Sequence, residues 1–218
     1  MRSPSGGGRA ERCFSISEME DLSLHILDIA ENSINAGATK IVIRIKEDSA
    51  ADRLSLSVED NGSGMNAETL MMVDNPFFTS KKGKRWGLGI PLLKQAACET
   101  GGDFNIRSEP GKGTVLQASF KRSHIDRKPL GDIGQTMLAL ISGHPEIHYV
   151  LFYEKDHYYY GFDTETLKEA LEGVPVNLPS VLALVKESIN SSVNKKDTPE
   201  KTSRKTIKNP QVKEDASR

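Results

Sequence analysis

A short acidic and glycine-rich run, DNGSG at residues 60–64, contains the residue types best suited to chemistry. It directly follows residues 54–58, where apolar and polar side chains alternate as in a half-buried strand. A carboxylate at the end of a strand, here Asp60, can accept a hydrogen bond from an exocyclic amino group. Adenine presents such a donor where guanine presents a carbonyl, so this acid could select the base. Gly62 and Gly64 permit positive φ and would let the backbone approach a purine closely.

A helical segment before this run carries two polar residues one turn apart, Asp28 and Asn32. This spacing places both on the same helical face. The amide oxygen of Asn32 could bind Mg²⁺ without adding charge, while phosphates supply the negative ligands. The Asp28 carboxylate could polarise a water at a terminal phosphate. Glu31 and Asn35 form a rival pair with the same spacing, but we favour Asp28 and Asn32.

A third candidate segment combines basic residues with glycines at the start of a helix. Gly87-Leu88-Gly89 precedes Pro91, which fits only the first helical turn and so fixes the helix start. Backbone N–H groups at such a helix terminus can bind phosphate oxygens. Lys81 and Lys82 lie in the preceding loop, from which they could close over the terminal phosphate. The alternative for this basic run is an ordinary solvated loop.

The elements that position these residues predict an α+β fold. The order over residues 18–122 is helix, two strands, helix, loop, helix and two strands, which indicates helices on one face of a mixed sheet. Residues 123–132 have the composition of a linker, and residues 133–190 are predicted to form a small α+β C-terminal unit. Residues 1–17 and 191–218 are polar or glycine-rich, and we expect them to be disordered tails.

The C-terminal unit is predicted to contain an aromatic hairpin, IHYVLFYEKDHYYYGF, with apolar residues on both sheet faces. These aromatic residues form either a core against flanking helices or a docking surface for a protein partner. His144, His148 and His157 have no recurring spacing and no fourth ligand, so we do not predict a metal site there.

Bulk composition excludes several classes of partner. The formal net charge is −1, which gives no electrostatic argument for nucleic acid or membrane binding. The sequence shows no signal peptide and no apolar run that approaches the roughly 20 residues needed to span a bilayer. We therefore expect a cytoplasmic protein. Cys13 and Cys98 have no metal-binding spacing, and Cys98 lies in an apolar helical stretch that predicts a buried thiol.

Five segments in a set order make the sequence recognisable. DIAENSINAGAT, DNGSGM, NPFFTSKKG, GLGI and GKGT resemble the N, G1, F, G2 and G3 boxes of the GHKL superfamily. That superfamily comprises gyrase, the heat-shock ATPase chaperone, histidine kinases and mismatch-repair ATPases. The resemblance covers about residues 20–122 and implies a Bergerat-type two-layer α/β sandwich, with ATP bound between sheet-edge loops and a mobile lid.

The resemblance also implies roles for individual residues. It assigns adenine binding to Asp60 and Mg²⁺ binding to Asn32. The glycines of the G1 and G2 boxes fall on Gly62, Gly64, Gly87 and Gly89, and the G3 box places Thr114 near the adenine.

The resemblance favours a kinase-like function but leaves alternatives. The F and G2 boxes resemble those of histidine kinases, whereas the N box resembles that of mismatch-repair ATPases. Hydrolysing members usually carry glutamate where Asp28 stands, and aspartate is one methylene shorter. Few residues precede the first helix, and we interpret His25 as structural, so we expect a stand-alone kinase-like domain that acts on a separate protein. The alternatives are an ATP-gated regulatory binding module and, less favoured, a slow ATPase with Asp28 as the base.

Overall fold

The computed structural model describes residues 21–73 and 89–195. Four predicted site residues, Lys81, Lys82, Gly87 and Leu88, lie outside the described residues, as do the N-terminal segment and residues 196–218. The described elements are, in chain order, α1 (Leu22–Asn35), β1 (Lys40–Asp48), β2 (Arg53–Asp60), α2 (Ala67–Met72), α3 (Gly89–Glu99), β3 (Phe104–Glu109), β4 (Gly113–Lys121), α4 (Ile133–Gly143), β5 (His148–Lys155), β6 (Tyr158–Asp163), α5 (Thr164–Ala170) and α6 (Pro179–Val193).

Helix α1 begins after an aspartate cap and ends just before a glycine. Asp21 caps its N-terminus, because a side-chain oxygen of Asp21 accepts a hydrogen bond from the N–H of Leu24 at 3.0 Å. The helix ends before Gly37, which has φ 76° and so leaves the helical region. One face of the helix carries a buried apolar stripe, and its members are Leu22, Ile26, Ile29 and Ala30.

The strands form one mixed sheet in the order β3-β4-β2-β1-β5-β6. Only the β1–β5 pair among the described strands is parallel, and the other four pairs are antiparallel. Ile41, Ile43 and Ile45 point to one face of β1 and are fully buried, whereas Arg44 and Lys46 alternate with them on the other face. The alternation therefore marks one face for the core and one for solvent.

The helices cover the buried face of the sheet. Helix α1 packs against α3 and α4, and α4 packs against α6. One continuous core joins the buried strand residues to the apolar faces of these helices. On the opposite face, exposed ion pairs join Arg44 to Glu59 and Lys46 to Glu154. The predicted α+β fold, with helices on one face of a mixed sheet, is confirmed.

The C-terminal segment differs from the separate small unit predicted for residues 133–190. Strand β5 pairs directly with β1, so residues on either side of the linker belong to one sheet and one core. The Tyr153 hydroxyl donates to Glu47 Oε1 at 2.9 Å and lies 3.2 Å from the Val193 carbonyl oxygen, which ties β5 to β1 and α6. Alternation along a strand shows which face is buried, but it does not show which strand is the neighbour.

Smaller differences concern the linker, the tail and one thiol. The predicted linker packs against α1, since the N–H of Leu22 donates to the Pro129 carbonyl at 2.9 Å. Helix α6 continues to Val193, which is buried, so the chain remains ordered beyond the predicted start of the tail at residue 191. Cys98 is exposed, so the expectation of a buried thiol is wrong: it lies on the solvent side of α3. Among the described residues, no helix is long and apolar enough to cross a membrane.

Candidate functional site

Asp60, the last residue of β2, is held in one orientation by three hydrogen bonds. Its Oδ1 accepts from the N–H of Gly62 at 2.9 Å and from the N–H of Thr114 at 3.2 Å. Its Oδ2 accepts from the Ser33 hydroxyl at 2.6 Å. A carboxylate oxygen has two lone pairs, so Oδ2 can still accept from a ligand amino group. The surrounding groups therefore orient this acid before any ligand arrives.

The helix residues next to Ser33 supply the second part of the site. The Asn32 side-chain amide Nδ2 lies 3.4 Å from Asp28 Oδ2, which leaves the Asn32 amide oxygen outside every hydrogen bond seen among the described residues. In the rival pair, Asn35 is exposed and its amide nitrogen donates to the carbonyl of Glu31. The structure thus places Asn32, and not Asn35, beside the residue that contacts Asp60.

Asp28 packs against the start of helix α3. A Cβ built on Gly89 would lie 1.7 Å from Asp28 Oδ2, so a side chain at this first residue of α3 would displace the Asp28 carboxylate. The N-terminus of a helix carries a partial positive charge, which favours a carboxylate or a phosphate at this point. The contact brings α1 and α3 together, and it places Asp28 where the terminal phosphate of a nucleotide would also be attracted.

Gly64 and Gly113, which lie near Asp60, are required by the protein's own backbone. Gly64 has φ 64°, and a Cβ there would lie 1.9 Å from the carbonyl oxygen of Glu109. Gly113 has φ 97°, and a Cβ there would lie 1.9 Å from the carbonyl oxygen of Asp60. Gly62 is not in the left-handed region, but a Cβ would approach Ala36 at 3.0 Å. At Gly64 and Gly113 the backbone of the loop after β2 packs closely against the backbone of the β3–β4 turn. The sequence analysis did not predict this role for the glycines.

The sequence analysis did not predict a role for three further residues near the site. Ser33 binds Asp60, and the only signal was its position immediately after Asn32. The Ser108 hydroxyl shares a hydrogen bond with the Thr114 hydroxyl at 2.9 Å, and this contact follows from the β3–β4 register, which pairs the two residues. Asn61 accepts the N–H groups of Thr39 and Lys40, both at 2.9 Å, and so fixes the loop after β2 to the start of β1.

His25 lies on the same helix, one turn before Asp28, and is fully buried. Neither ring nitrogen makes a hydrogen bond of good geometry among the described residues, although the backbone of Gly89 lies nearby. Burial, helped by the positive charge of Lys128, lowers the pKa of His25 to about 4. The ring is therefore neutral at physiological pH.

The other histidines lie away from this site. His148 lies 3.0 Å from Asp163 and 3.4 Å from Glu165 through its two ring nitrogens. Burial would raise the pKa of Asp163, but hydrogen bonds from His148 and from two helix N–H groups lower it overall. No cluster of metal-ligating side chains occurs in the part of the chain that the structure describes.

The strand-terminal carboxylate of Asp60 thus faces a helix that carries an aspartate–asparagine pair, which is the arrangement that the sequence predicts for a purine-nucleotide site. Residues 19–124 match the family described as histidine kinase-, DNA gyrase B-, and HSP90-like ATPase. The chain therefore carries an ATPase domain of the GHKL superfamily, which confirms the resemblance. Residues 19–124 thus form an ATP-binding domain of the kinase-like ATPase type.

The similar proteins include several kinases. Sporulation kinase C of Bacillus subtilis is 33% identical over 105 residues, which is 48% of this chain and 24% of that protein. The sensor protein kinase FleS of Pseudomonas aeruginosa is 39% identical over 90 residues, 41% of this chain and 22% of that protein. The chain thus spans at most a quarter of these relatives. The MutL ATPase domain of Aquifex aeolicus, solved with ADP, is 18% identical with a TM-score of 0.45, and the match covers 72% of this chain and 69% of that one.

Proposed function

We propose that the protein binds ATP with Mg²⁺ and transfers the terminal phosphoryl group to a separate protein. One observation carries this proposal: the Asp60 carboxylate is held by Ser33, Gly62 and Thr114 with a lone pair left for a ligand amino group. Asn32 adjoins Ser33 in the sequence, so the base end and the phosphate end of the site share one helix. ATP supplies the phosphoryl group, and the protein supplies orientation and charge.

The residues present fit Mg²⁺ and a triphosphate. The amide oxygen of Asn32 is a neutral hard ligand of the kind that Mg²⁺ accepts, with phosphate oxygens completing its shell. The N-terminus of α3 at Gly89 offers backbone N–H groups to anionic oxygens. Phosphoryl transfer depends mainly on positioning and charge neutralisation, and both are available here.

A separate phosphoacceptor is supported by the placement of the histidines. All five lie in the described residues, and His25 alone is on a helix of the site. That ring is fully buried under the start of α3, so its nitrogens cannot meet a phosphoryl group without local opening. His25 is therefore not the acceptor, which is consistent with the proposed transfer to a separate protein.

A nucleotide-gated binding module is the second candidate, and the geometry of Asp28 favours it over a hydrolase. The carboxylate is turned onto Asn32 and the start of α3, and aspartate reaches one methylene less far than glutamate. A slow ATPase with Asp28 as the base is thus the weakest of the three functions.

Incubation with ATP labelled at the γ-phosphate, together with extract from the source cells, separates these functions. Label on a second protein, lost with Asp60→Asn, is the expected result. Tight binding of ATP without transfer would establish the binding module, and release of free phosphate alone would establish the ATPase. Label confined to this chain would contradict a separate acceptor.

A further inference from the structure

The two edges of the sheet are protected to different degrees. Strand β3 forms one edge, carries the exposed residues Arg107 and Glu109, and is followed by Pro110. Charges and proline of this kind are the usual protection of a sheet edge against pairing with another strand. Strand β6 forms the other edge with the sequence YYYGFD, which contains no basic residue and no proline. Its register with β5 runs without a bulge.

The outer side of β6 offers backbone groups for hydrogen bonding. A two-residue turn joins β5 to β6, and Lys155 pairs with Tyr158 across it. Because hydrogen-bonded and non-bonded pairs alternate from that point, the N–H and C=O groups of Tyr159 and Gly161 face away from β5. No described strand pairs with this side of β6.

Exposed apolar side chains lie near this edge on both faces of the sheet. Tyr159 is 61% exposed on the open sheet face. On the helical side, the Tyr160 hydroxyl lies 3.1 Å from the Ser188 hydroxyl of α6. Leu184 stands one turn before Ser188 on the same face of α6 and is 67% exposed. The unpaired strand therefore has one exposed apolar side chain near it on each side of the sheet, Tyr159 and Leu184.

We propose that β6 pairs antiparallel with β6 of a second copy of this chain, about a two-fold axis at Gly161. The position of the axis follows from the direction of the backbone groups. In a pair centred on Gly161, the outward-facing N–H and C=O groups of one copy meet the outward-facing groups of the other. Tyr160 of each copy then lies opposite Phe162 of the other, an aromatic pair of the kind that stabilises neighbouring strands. No two like charges face each other in this register.

The chain allows a charge-exchange test at the axis. The atoms nearest to a Cβ on Gly161 would belong to Tyr159 and Phe152, at ordinary contact distances of 3.6 Å or more, so a Cβ fits there without a clash. Gly161→Lys places two lysines opposite each other, and Gly161→Glu places two glutamates. We expect each variant alone to raise the dimer dissociation constant at least about tenfold, and an equal mixture of the two to restore dimers.

The measurement is the mass of the full-length chain by analytical ultracentrifugation over a series of concentrations. Asn105→Lys, on the exposed face of the opposite edge strand β3, is the matched control and should leave the dimer unchanged. ATP affinity of each variant reports that the fold is intact. A wild-type chain that stays monomeric at about 100 μM would overturn the proposal. Dimers that survive Gly161→Lys, or a mixture that stays monomeric, would overturn it too.

Hydrogen exchange at the amides of Tyr159 and Gly161 identifies what covers the edge. Protection that rises with protein concentration supports pairing between copies. Protection that is independent of concentration would assign the edge to another segment of the same chain, and it would refute the dimer.

Discussion

The carboxylate of Asp60 accepts three hydrogen bonds from the protein and has one acceptor position left. A substitution at Asp60 can therefore measure how much this position contributes to ATP affinity. Replacing it with asparagine puts an NH₂ group where an acceptor is needed. Hydrogen bonds to charged groups contribute about 1.5–3 kcal/mol, so Asp60→Asn should weaken ATP binding roughly ten- to a hundredfold. Titration calorimetry measures this directly. Asp103→Asn, at a carboxylate with 85% of its side chain exposed, is the matched control, and equal affinities for the two variants would contradict the assignment.

Asn32 and Asn35 provide a paired test of the metal ligand. The amide of Asn35 is exposed and bonded to its own helix, whereas Asn32 lies beside Asp28 with its oxygen available. We expect Asn32→Ala to abolish the Mg²⁺ dependence of ATP binding, and Asn35→Ala to leave it unchanged. Calorimetric titrations with Mg²⁺ and with EDTA distinguish the two variants. If the dependence follows Asn35 instead, the metal site is one turn further along α1.

His25 should make stability depend on pH. Its folded-state pKa of about 4 lies below the ordinary value of 6.5, because burial disfavours the charged ring. Above pH 6.5 His25 is neutral in both the folded and the unfolded chain, and the full stability is present. As the pH falls from 6.5 toward 4, the unfolded chain binds a proton at His25 and the folded chain does not, so stability is lost. The free energy of unfolding should therefore decrease over this window by up to about 3 kcal/mol.

Urea denaturation at a series of pH values measures this decrease. His25→Leu removes two buried nitrogens that lack hydrogen bonds and should flatten the profile without loss of stability at pH 7. His157→Gln, at an exposed histidine in the β5–β6 turn, is the control and should keep the slope of the unaltered protein. A slope that survives His25→Leu would place the titrating group elsewhere.

At the level of single residues, the sequence offered candidates for the groups that carry chemistry, but not for the groups that hold them in place. Asp60 stands out because it ends an alternating strand just before a glycine-rich run, and Asp28 and Asn32 stand out through the family resemblance. Ser33 and Ser108 do not, because serine occurs widely at surfaces and only the tertiary contact gives these two a role.

The β3–β4 turn offers a test at the level of elements, because two of its glycines differ only in their surroundings. Gly111 and Gly113 both have positive φ, but a Cβ would meet nothing within 4 Å at Gly111 and the Asp60 carbonyl oxygen at Gly113. Gly111→Ala should cost the roughly 1–2 kcal/mol of an unfavourable φ alone. Gly113→Ala must also displace backbone, so it should cost more than about 3 kcal/mol and weaken ATP binding.

Denaturation curves and ATP affinities of the two variants provide the comparison. Equal losses of stability would show that backbone conformation alone matters and that the loop after β2 is not locked to the turn. An unchanged affinity in Gly113→Ala would show that Asp60 keeps its place when the turn shifts.

The elements themselves were predictable where periodicity is strong, and their partners were not. Strand β2 and the β5–β6 hairpin form where the sequence predicts them, because each has a clear alternation of side chains. The parallel pairing of β5 with β1 joins residues that are more than a hundred positions apart. Nothing in either strand specifies the other, since both present the same alternation of buried and exposed residues.

At the scale of the whole molecule, this pairing means that the ATP site and the C-terminal segment share one structural unit. Asp60 pairs with Ile41 of β1, and Ile41 pairs on its other side with Tyr149 of β5. The core is continuous across the same boundary. Loss of order in the C-terminal segment would therefore remove support from the strand beside the site.

Leu151 tests this coupling, because it is fully buried on β5 and lies opposite Ile43 of β1. Leu151→Ala should cost about 2–5 kcal/mol through a cavity in the shared core. We expect a single unfolding transition in which far-UV circular dichroism and ATP binding are lost at the same, lowered urea concentration. Leu184→Ala, at the exposed leucine of α6, should leave that concentration nearly unchanged. If dichroism fell in two steps while ATP binding persisted through the first, the C-terminal segment would unfold as an independent unit, and the coupling inferred from the β1–β5 pair would be wrong.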